Sequence, residues 1–264
     1  VIRQVYPRLG IVPGLILAPG WSQIPEVGLA LAAKAAKING VYSAMALLDL
    51  DTAKAKKYTD TKSVKEESGY TSPFCYPLWP CDRVGEYILA KSAVAGAMIQ
   101  YMASDNEDVP NQSPSNHLLG VGGQCLEDGT EVYLDQDQAN TVNGYGVTTA
   151  INQNGYRLWG NYTGAYPASS DAKDIWFAVR RMFSWQGNNF IQTYFDEVDD
   201  PMNNVLVQSV VDSENIRCSA YAPKYWAGAS IEYKSDDNPK TAILAGTMKF
   251  RQHIAPYTPA QEIV

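Results

Sequence analysis

GLILAPGWSQIPEVGLALAAKAAKINGVYSAMALLDL, residues 14–50, changes periodicity twice and so sets the fold class. Leu15-Ile16-Leu17-Ala18 is a short apolar run that ends in the turn Pro19-Gly20. Ser22 can cap the next turn, and Pro25 with Glu26 suits the first turn of a helix. The alanine-rich stretch Val27–Ile38 then predicts a helix, stopped by Asn39-Gly40. Val41–Leu50 reads as a buried strand, being apolar without alternation. Strand, helix and strand with short links predict an α/β fold: a mainly parallel sheet with helices on both faces.

The alternation continues. A polar helix is expected over Ala53–Ser68, a strand over Phe74–Trp79, and a long helix over Val84–Met102, where Ala93, Ala95, Gly96 and Ala97 permit close packing. Asp105–Asn116 is loop-like, Gly120–Leu134 suggests short strands about a Glu127-Asp128-Gly129 turn, and Asp135–Val142 a short helix. Thr148–Leu158 looks like another strand entry, with Asn154-Gly155 as its turn. Ile175–Ser184 is amphipathic with Arg180 and Arg181 on its polar side, and a further helix is expected over Pro201–Ser213. These readings divide the chain softly near Ala150, into an α/β domain over 1–150 and a smaller α+β domain over 151–264.

The second domain closes on a hairpin. Ala229, Ile231 and Tyr233 share one face of a strand, and Ser230, Glu232 and Lys234 the other. Met248, Phe250 and Ile254 alternate with Lys249, Arg251 and His253, and Asp236-Asp237-Asn238-Pro239 is turn chemistry between the two strands. Glu232 is expected to pair with Lys249 or Arg251 across the polar face. A hairpin followed by a proline-spaced tail reads as an open edge with a continuation, and Val1-Ile2 as the start of a fragment or trimmed domain.

Composition narrows the function classes. At 264 residues and 29.0 kDa the chain can bury a sizeable core. A net charge of -7 without a basic stripe argues against a nucleic-acid partner. The longest apolar run, near Ala90–Met102, is too short and interrupted to span a bilayer. Cys75, Cys81, Cys125 and Cys218 lack zinc spacing and read as plain buried thiols.

A search for chemistry finds fragments only. Gly20-Trp21-Ser22 with Asp49 and Asp51 resembles a dinucleotide-binding turn, but Trp21 and Pro25 stand where glycines would let a pyrophosphate approach. A hydrolase would have to combine Ser22 with His117 or His253 and a carboxylate, and no nucleophile-elbow motif is present. The acids at 135–137 and 196–200 do not follow calcium-loop spacing. Gly120–Gly123 lacks the lysine of a phosphate loop, and Trp159, Trp176, Trp185 and Tyr194 fit core or interface packing better than a sugar groove. No catalytic residue, metal site or cofactor is therefore expected; an α/β hydrolase-like or nucleotide-binding enzyme and a carbohydrate-binding module are the alternatives.

Several segments together resemble the contractile tail sheath proteins of bacteriophages, prophages and bacteriocin particles. They are Pro13–Ser22, Pro114–Asn116, Leu134–Asn140, Asn154–Asn161, the helix with Val179-Arg180-Arg181, and the ending Asp237–Pro239, Gly246–Arg251 and Pro256–Ala260. The resemblance implies a non-catalytic, subtilisin-like core followed by a smaller C-terminal sheath domain. It implies partners as well: other sheath subunits in stacked rings, a tail tube and a baseplate, with neither nucleic acid nor membrane. Such a protein assembles in the bacterial host cytoplasm into the tail of a virion. The resemblance further implies that arms of neighbouring subunits add strands to a small sheet. Here that edge is expected at Ile231, Glu232, Tyr233, Lys249, Phe250, Arg251, His253 and Ile254, within a hairpin of Gly228–Tyr233 and Gly246–Ile254. The family's N-terminal arm and most of its C-terminal arm do not appear, so a monomer or weak oligomer is expected.

Overall fold

A computed structural model describes residues 1–261; residues 262–264, the end of the expected arm, lie outside the described residues. The described residues divide into two compact units, 1–185 with 258–261, and 186–257. The boundary expected near Ala150 falls inside the first unit, within a strand.

In chain order the first unit holds α1 (Val5–Leu9), β1 (Leu15–Leu17), α2 (Pro25–Ala36), β2 (Met45–Asp49), α3 (Thr61–Ser68), β3 (Cys75–Leu78), β4 (Cys81–Val84) and β5 (Tyr87–Leu89). There follow α4 (Lys91–Asp105), β6 (Gly123–Cys125), α5 (Gln136–Gly144), β7 (Thr149–Asn152), β8 (Tyr156–Trp159), α6 (Ala172–Ile175) and α7 (Phe177–Thr193), which runs on into the second unit.

The parallel sheet has three strands, β1-β2-β3, with Leu15 against Met45 and Ala46 against Cys75. A parallel bridge from Leu78 to Thr148 leads on to the β7-β8 hairpin. The other sheets, β5-β4-β6 and β7-β8, are antiparallel, so "mainly parallel" describes the central sheet alone. Every residue of β2 is buried. Met45 and Leu47 join Tyr76, Leu78, Ala95, Met98, Ile99, Leu158 and Phe177 in one apolar cluster, and Ala46 and Leu48, pointing the other way, are buried too. Burial on both faces is what an unbroken apolar strand demands. A Cβ on Gly28 of α2 would lie 2.1 Å from the Tyr70 hydroxyl, so only glycine lets helix and ring approach as they do.

Two helix expectations need correction. Val84–Met102 is not one helix: Gly85, at φ +60°, turns β4 into β5, and α4 starts only at Lys91. Ala53–Ser68 is helical only from Tyr58, first as a short 3-10 turn. Arg180 and Arg181 are half-buried rather than solvated, with Arg180 over the Phe74 ring at 4.1 Å and paired to Asp174 at 3.0 Å.

The second unit holds α8 (Asn204–Ala220), β9 (Trp226–Glu232), α9 (Lys240–Leu244) and β10 (Arg251–Pro256). Val210, Cys218, Tyr225, Trp226 and Ile231 are its buried apolar residues. A buried polar group accompanies them: Glu214 accepts from Gln186 Nε2 at 2.5 Å and from Arg217 Nε at 2.9 Å. All four cysteines carry free thiols, three of them buried.

Candidate assembly surface

β9 and β10 form a two-stranded antiparallel ribbon, with Glu232 opposite Arg251, Ile231 opposite Gln252, Ser230 opposite His253 and Ala229 opposite Ile254. The second strand starts later than the expected Gly246. Lys249 and the turn are held instead by Asn238, whose Nδ2 donates to the carbonyls of Lys234 and Lys249, both at 2.9 Å, and whose Oδ1 accepts from Lys249 N–H at 2.7 Å. With its main chain clamped there, Lys249 stands outside the ladder.

The expected surface residues split accordingly. Ile231 is buried under α8, where Asn215 Oδ1 accepts from its N–H at 3.0 Å and Asn215 Nδ2 donates to its carbonyl at 3.1 Å. Tyr233 and Phe250 flank the ladder and pack ring edge against ring face at 5.9 Å. Arg251, His253 and Glu232 lie on the polar face, but the pairing is not the expected one. Glu232 binds Lys234 and His253, both at 2.8 Å, while Arg251 reaches Asp237 at 2.7 Å. Hydrogen bonds from Lys234 and His253 hold the Glu232 carboxyl below its usual range. Ile254 is half-buried on the face of Ile231. Asn215 and Asn238 were missed by sequence reasoning; the one available signal was an asparagine in mid-helix and another in a turn, both places where its amide competes for backbone.

Beside the ribbon, still within the second unit, lies a groove of about 490 Å³ lined by Phe190, Tyr194, Val198, Met248 and Phe250, with Glu197, Asp199 and Asp200 on it.

Within the first unit the candidate catalytic residues Ser22 and His117 belong to different surroundings. Ser22 is fully buried; its Oγ donates to Asp49 Oδ2 at 2.9 Å and accepts from Asp49 N–H at 3.0 Å. His117 lines a separate cleft with Tyr101, Asp105 and Arg157, where burial and the Arg157 charge push its pKa down. His253 belongs to the second unit. Trp159 Nε1 donates to Asn140 at 2.8 Å, and Trp176 stacks on Tyr162 at 4.8 Å. Among the described residues no group of three or more His, Cys, Asp or Glu side chains could hold a metal ion, and no helix is long and apolar enough to cross a membrane.

No family model matches the chain. Sequence relatives are nonetheless clear. The chain is 28% identical over 177 residues to the major tail sheath protein of Serratia phage KSP20, covering 65% of this chain and 43% of that protein. It is 24% identical over 273 residues to the tail sheath protein of Escherichia phage P2, covering 99% of this chain and 63% of the relative. A prophage major tail sheath protein of Pseudomonas aeruginosa strain UCBPP-PA14 is 31% identical over 183 residues, covering 66% of this chain and 43% of that one. The chain thus spans between 43% and 63% of the length of these relatives. Among solved structures, a PVC sheath complex of an extracellular contractile injection system in its contracted state matches with a TM-score of 0.78 at 18% identity, over 100% of this chain and 72% of that one. A chain of the anti-feeding prophage baseplate matches with a TM-score of 0.75 at 18% identity, over 100% of this chain and 71% of that one. The chain is a homologue of phage and prophage tail sheath proteins and carries the fold of a contractile injection system sheath.

Proposed function

We propose that this chain is a structural, non-catalytic subunit of a contractile tail sheath, and that its first unit is a subtilisin-like core without protease function. The observation that carries this reading is a fold shared along the whole chain with a sheath complex, together with sequence relatives named as tail sheath proteins. In this reading subunits stack in rings around a tail tube above a baseplate, and the β9-β10 ribbon takes strands from neighbouring subunits. The assembled sheath belongs to a virion tail built in the host cytoplasm. Contraction follows from a bistable lattice: small differences in contact free energy per interface sum over many copies, so no nucleotide hydrolysis is needed.

The test is reconstitution. Purified chain is added to a full-length tail sheath relative and preassembled tail tube and imaged by electron microscopy; its incorporation into rings or sleeves on the tube is the expected result, and sleeves that exclude it at every concentration would reject the reading. A serine-reactive probe gives an independent check. Ser22 is expected to stay unlabelled because its hydroxyl is buried and committed to Asp49.

A further inference from the structure

Cys81 and Cys125 stand directly opposite one another in the β4-β6 ladder, and both thiols are free. Opposed residues of an antiparallel pair put their side chains on the same face, with Cα atoms about 4.5 or 5.5 Å apart according to the kind of pair. Either spacing lies inside the range of roughly 4.4–6.8 Å that a disulfide spans. The thiols are close enough for a charge on Cys125 to raise the Cys81 pKa. The other two cysteines stand elsewhere: Cys75 lies opposite Ala46 in the parallel sheet, and Cys218 is on α8 of the second unit.

The two faces of this antiparallel sheet differ. Asp82 and Gln124 turn inward, Asp82 to its partner Lys91 and Gln124 to the Ala150 carbonyl, to which its Nε2 donates at 2.7 Å. Cys81, Arg83, Gly123 and Cys125 alternate with them and share the other face. On that face Cys125 is buried while Cys81 is half-buried, so a reagent from solution meets Cys81 first. Burial pushes the Cys125 thiol up, and the Arg83 guanidinium, hydrogen-bonded to it, pulls the other way. Arg83 is held in place by the Gly129 carbonyl at 2.9 Å and by Glu131 at 3.3 Å.

We propose that Cys81 and Cys125 are a dithiol–disulfide pair, with Cys81 as the entry thiol and a low-molecular-weight disulfide such as oxidised glutathione as the reactant. The Cys81 thiolate attacks one sulfur of that disulfide, forms a mixed disulfide and expels one thiolate, which takes up the proton that Cys81 lost. The Cys125 thiolate then attacks the Cys81 sulfur, closes the cross-strand bond and expels the second small thiol. Two protein thiols are oxidised and one external disulfide is reduced to two thiols, so electrons and protons balance. The bond ties β4 to β6 and closes the chain between residues 81 and 125, which constrains the unfolded state. A reducing compartment keeps the dithiol and an oxidising one closes the bond. The pairing is set by the β4-β6 register and is independent of any larger assembly the chain joins.

The test incubates the folded full chain in glutathione buffers of stepped ratio, quenches with acid, alkylates, and maps the peptides by mass spectrometry without reduction. A linked peptide joining Cys81 to Cys125 is expected, with Cys75 and Cys218 alkylated as free thiols. Dithiothreitol should restore the dithiol, and the oxidised chain should keep the folded spectrum and unfold at a higher urea midpoint. Cys125→Ser should stop at the mixed disulfide on Cys81, Cys81→Ser should leave Cys125 unmodified, and Cys75→Ser with Cys218→Ser should still form the link. Burial, Asp49 and Cys125 push the Cys81 thiol up to about 12. Linking should therefore be slow at neutral pH and quicken about tenfold per pH unit through pH 9. Levelling near pH 8.5, where an ordinary thiol levels, would place the attack in an unfolded fraction and overturn the entry role of Cys81. A link to Cys75 or Cys218, a lowered urea midpoint, a mixed disulfide that never resolves in the wild type, or no reaction at pH 9 in the most oxidising buffer overturns the pair.

Discussion

Asp49, the last residue of β2, holds Ser92 in the first turn of α4 by two hydrogen bonds, from the amide at 2.8 Å and from the hydroxyl at 2.5 Å. The residue before α4 is Ala90, which has no side chain to cap it, so a carboxylate 43 residues away in sequence does the capping. The acid that in sequence adds to the resemblance to a dinucleotide-binding turn is thus a tie between sheet and helix. Asp49→Ala should cost roughly 2 kcal/mol or more, since two buried hydroxyls and an amide lose their acceptor; urea denaturation reads this directly. Burial pushes the Asp49 carboxyl up, against the pull of Ser92, Ser22 and Lys91. A raised carboxyl favours folding most below its unfolded value, about 4, and that contribution is lost as pH rises through the folded value. The gap between wild type and Asp49→Asn should therefore shift in the variant's favour as pH rises from about 4.

Asp82 and Lys91 form an ion pair in which both side chains are fully buried. Asp82 Oδ2 has no partner, so the geometry satisfies only half of the carboxylate. Removing one member strands the other's charge, and Asp82→Ala or Lys91→Ala should each cost about 3–5 kcal/mol. The double variant Asp82→Leu with Lys91→Met should recover most of that loss. A double-mutant cycle on chemical denaturation checks it, and additive losses would show that the pair does not act as a unit.

Local patterns in the sequence resolve some of this structure and not the rest. Residues 14–50 announce their strand, helix and strand because the apolar period changes where each element changes, and α2 and β2 lie within a few residues of the spans that period predicts. Asp135 with Gln138 likewise forms the capping box that opens α5. The helix expected over Val84–Met102 went wrong because the apolar run that continues helically after Lys91 begins as an antiparallel hairpin, and Gly85 was the only cue. At the ribbon, alternation revealed which side chains share a face. It was silent on which backbone edge is free, because that depends on Asn215 arriving from a helix 16 residues earlier. Relations set by tertiary approach leave no period in the chain.

Lys65 gives a pH signature for the first unit. Its ammonium is buried and donates to the carbonyls of Tyr145 at 2.9 Å and Tyr166 at 2.5 Å, with no carboxylate in the set. Desolvation lowers its pKa to about 8. The unfolded chain, with an ordinary lysine near 10.4, therefore holds more protons than the folded one above about pH 8, and stability rises with pH at up to about 1.4 kcal/mol per unit. The amine can still donate to both carbonyls after losing its proton. Tyr70 and Tyr76, whose hydroxyls burial pushes up, work in the opposite direction above about pH 10. The thiols of Cys75, Cys81, Cys125 and Cys218, also pushed up by burial, oppose it sooner, from about pH 8.5. The quantity to read is therefore the difference between wild type and Lys65→Met in denaturation curves at matched ionic strength, which should move in the wild type's favour between about pH 8 and 9.5.

Asn238 decides where β10 can begin. It is buried, with 4% of its surface exposed, and its three hydrogen bonds join Lys234 after β9 to Lys249 before β10. No backbone pairing replaces them, because the strands are in register only from Glu232 and Arg251 inward. Asn238→Ala should destabilise the second unit by roughly 2 kcal/mol, the loss of three modest bonds with main-chain groups left short of partners. Asn238→Asp keeps the acceptor for Lys249 N–H but sets a carboxylate against two carbonyls, so it should be no better tolerated. The neighbouring Asp236 is exposed, and its replacement by Ala should leave the transition unchanged. Amide exchange separates a local effect from a global one. With Asn238→Ala, the amides of Arg251 and His253, which face β9, should exchange faster while those of β2 keep their wild-type rates. If β2 quickens equally, the clamp is serving the whole chain rather than the ribbon. If neither changes, the ladder itself fixes the start of β10 and the asparagine is dispensable.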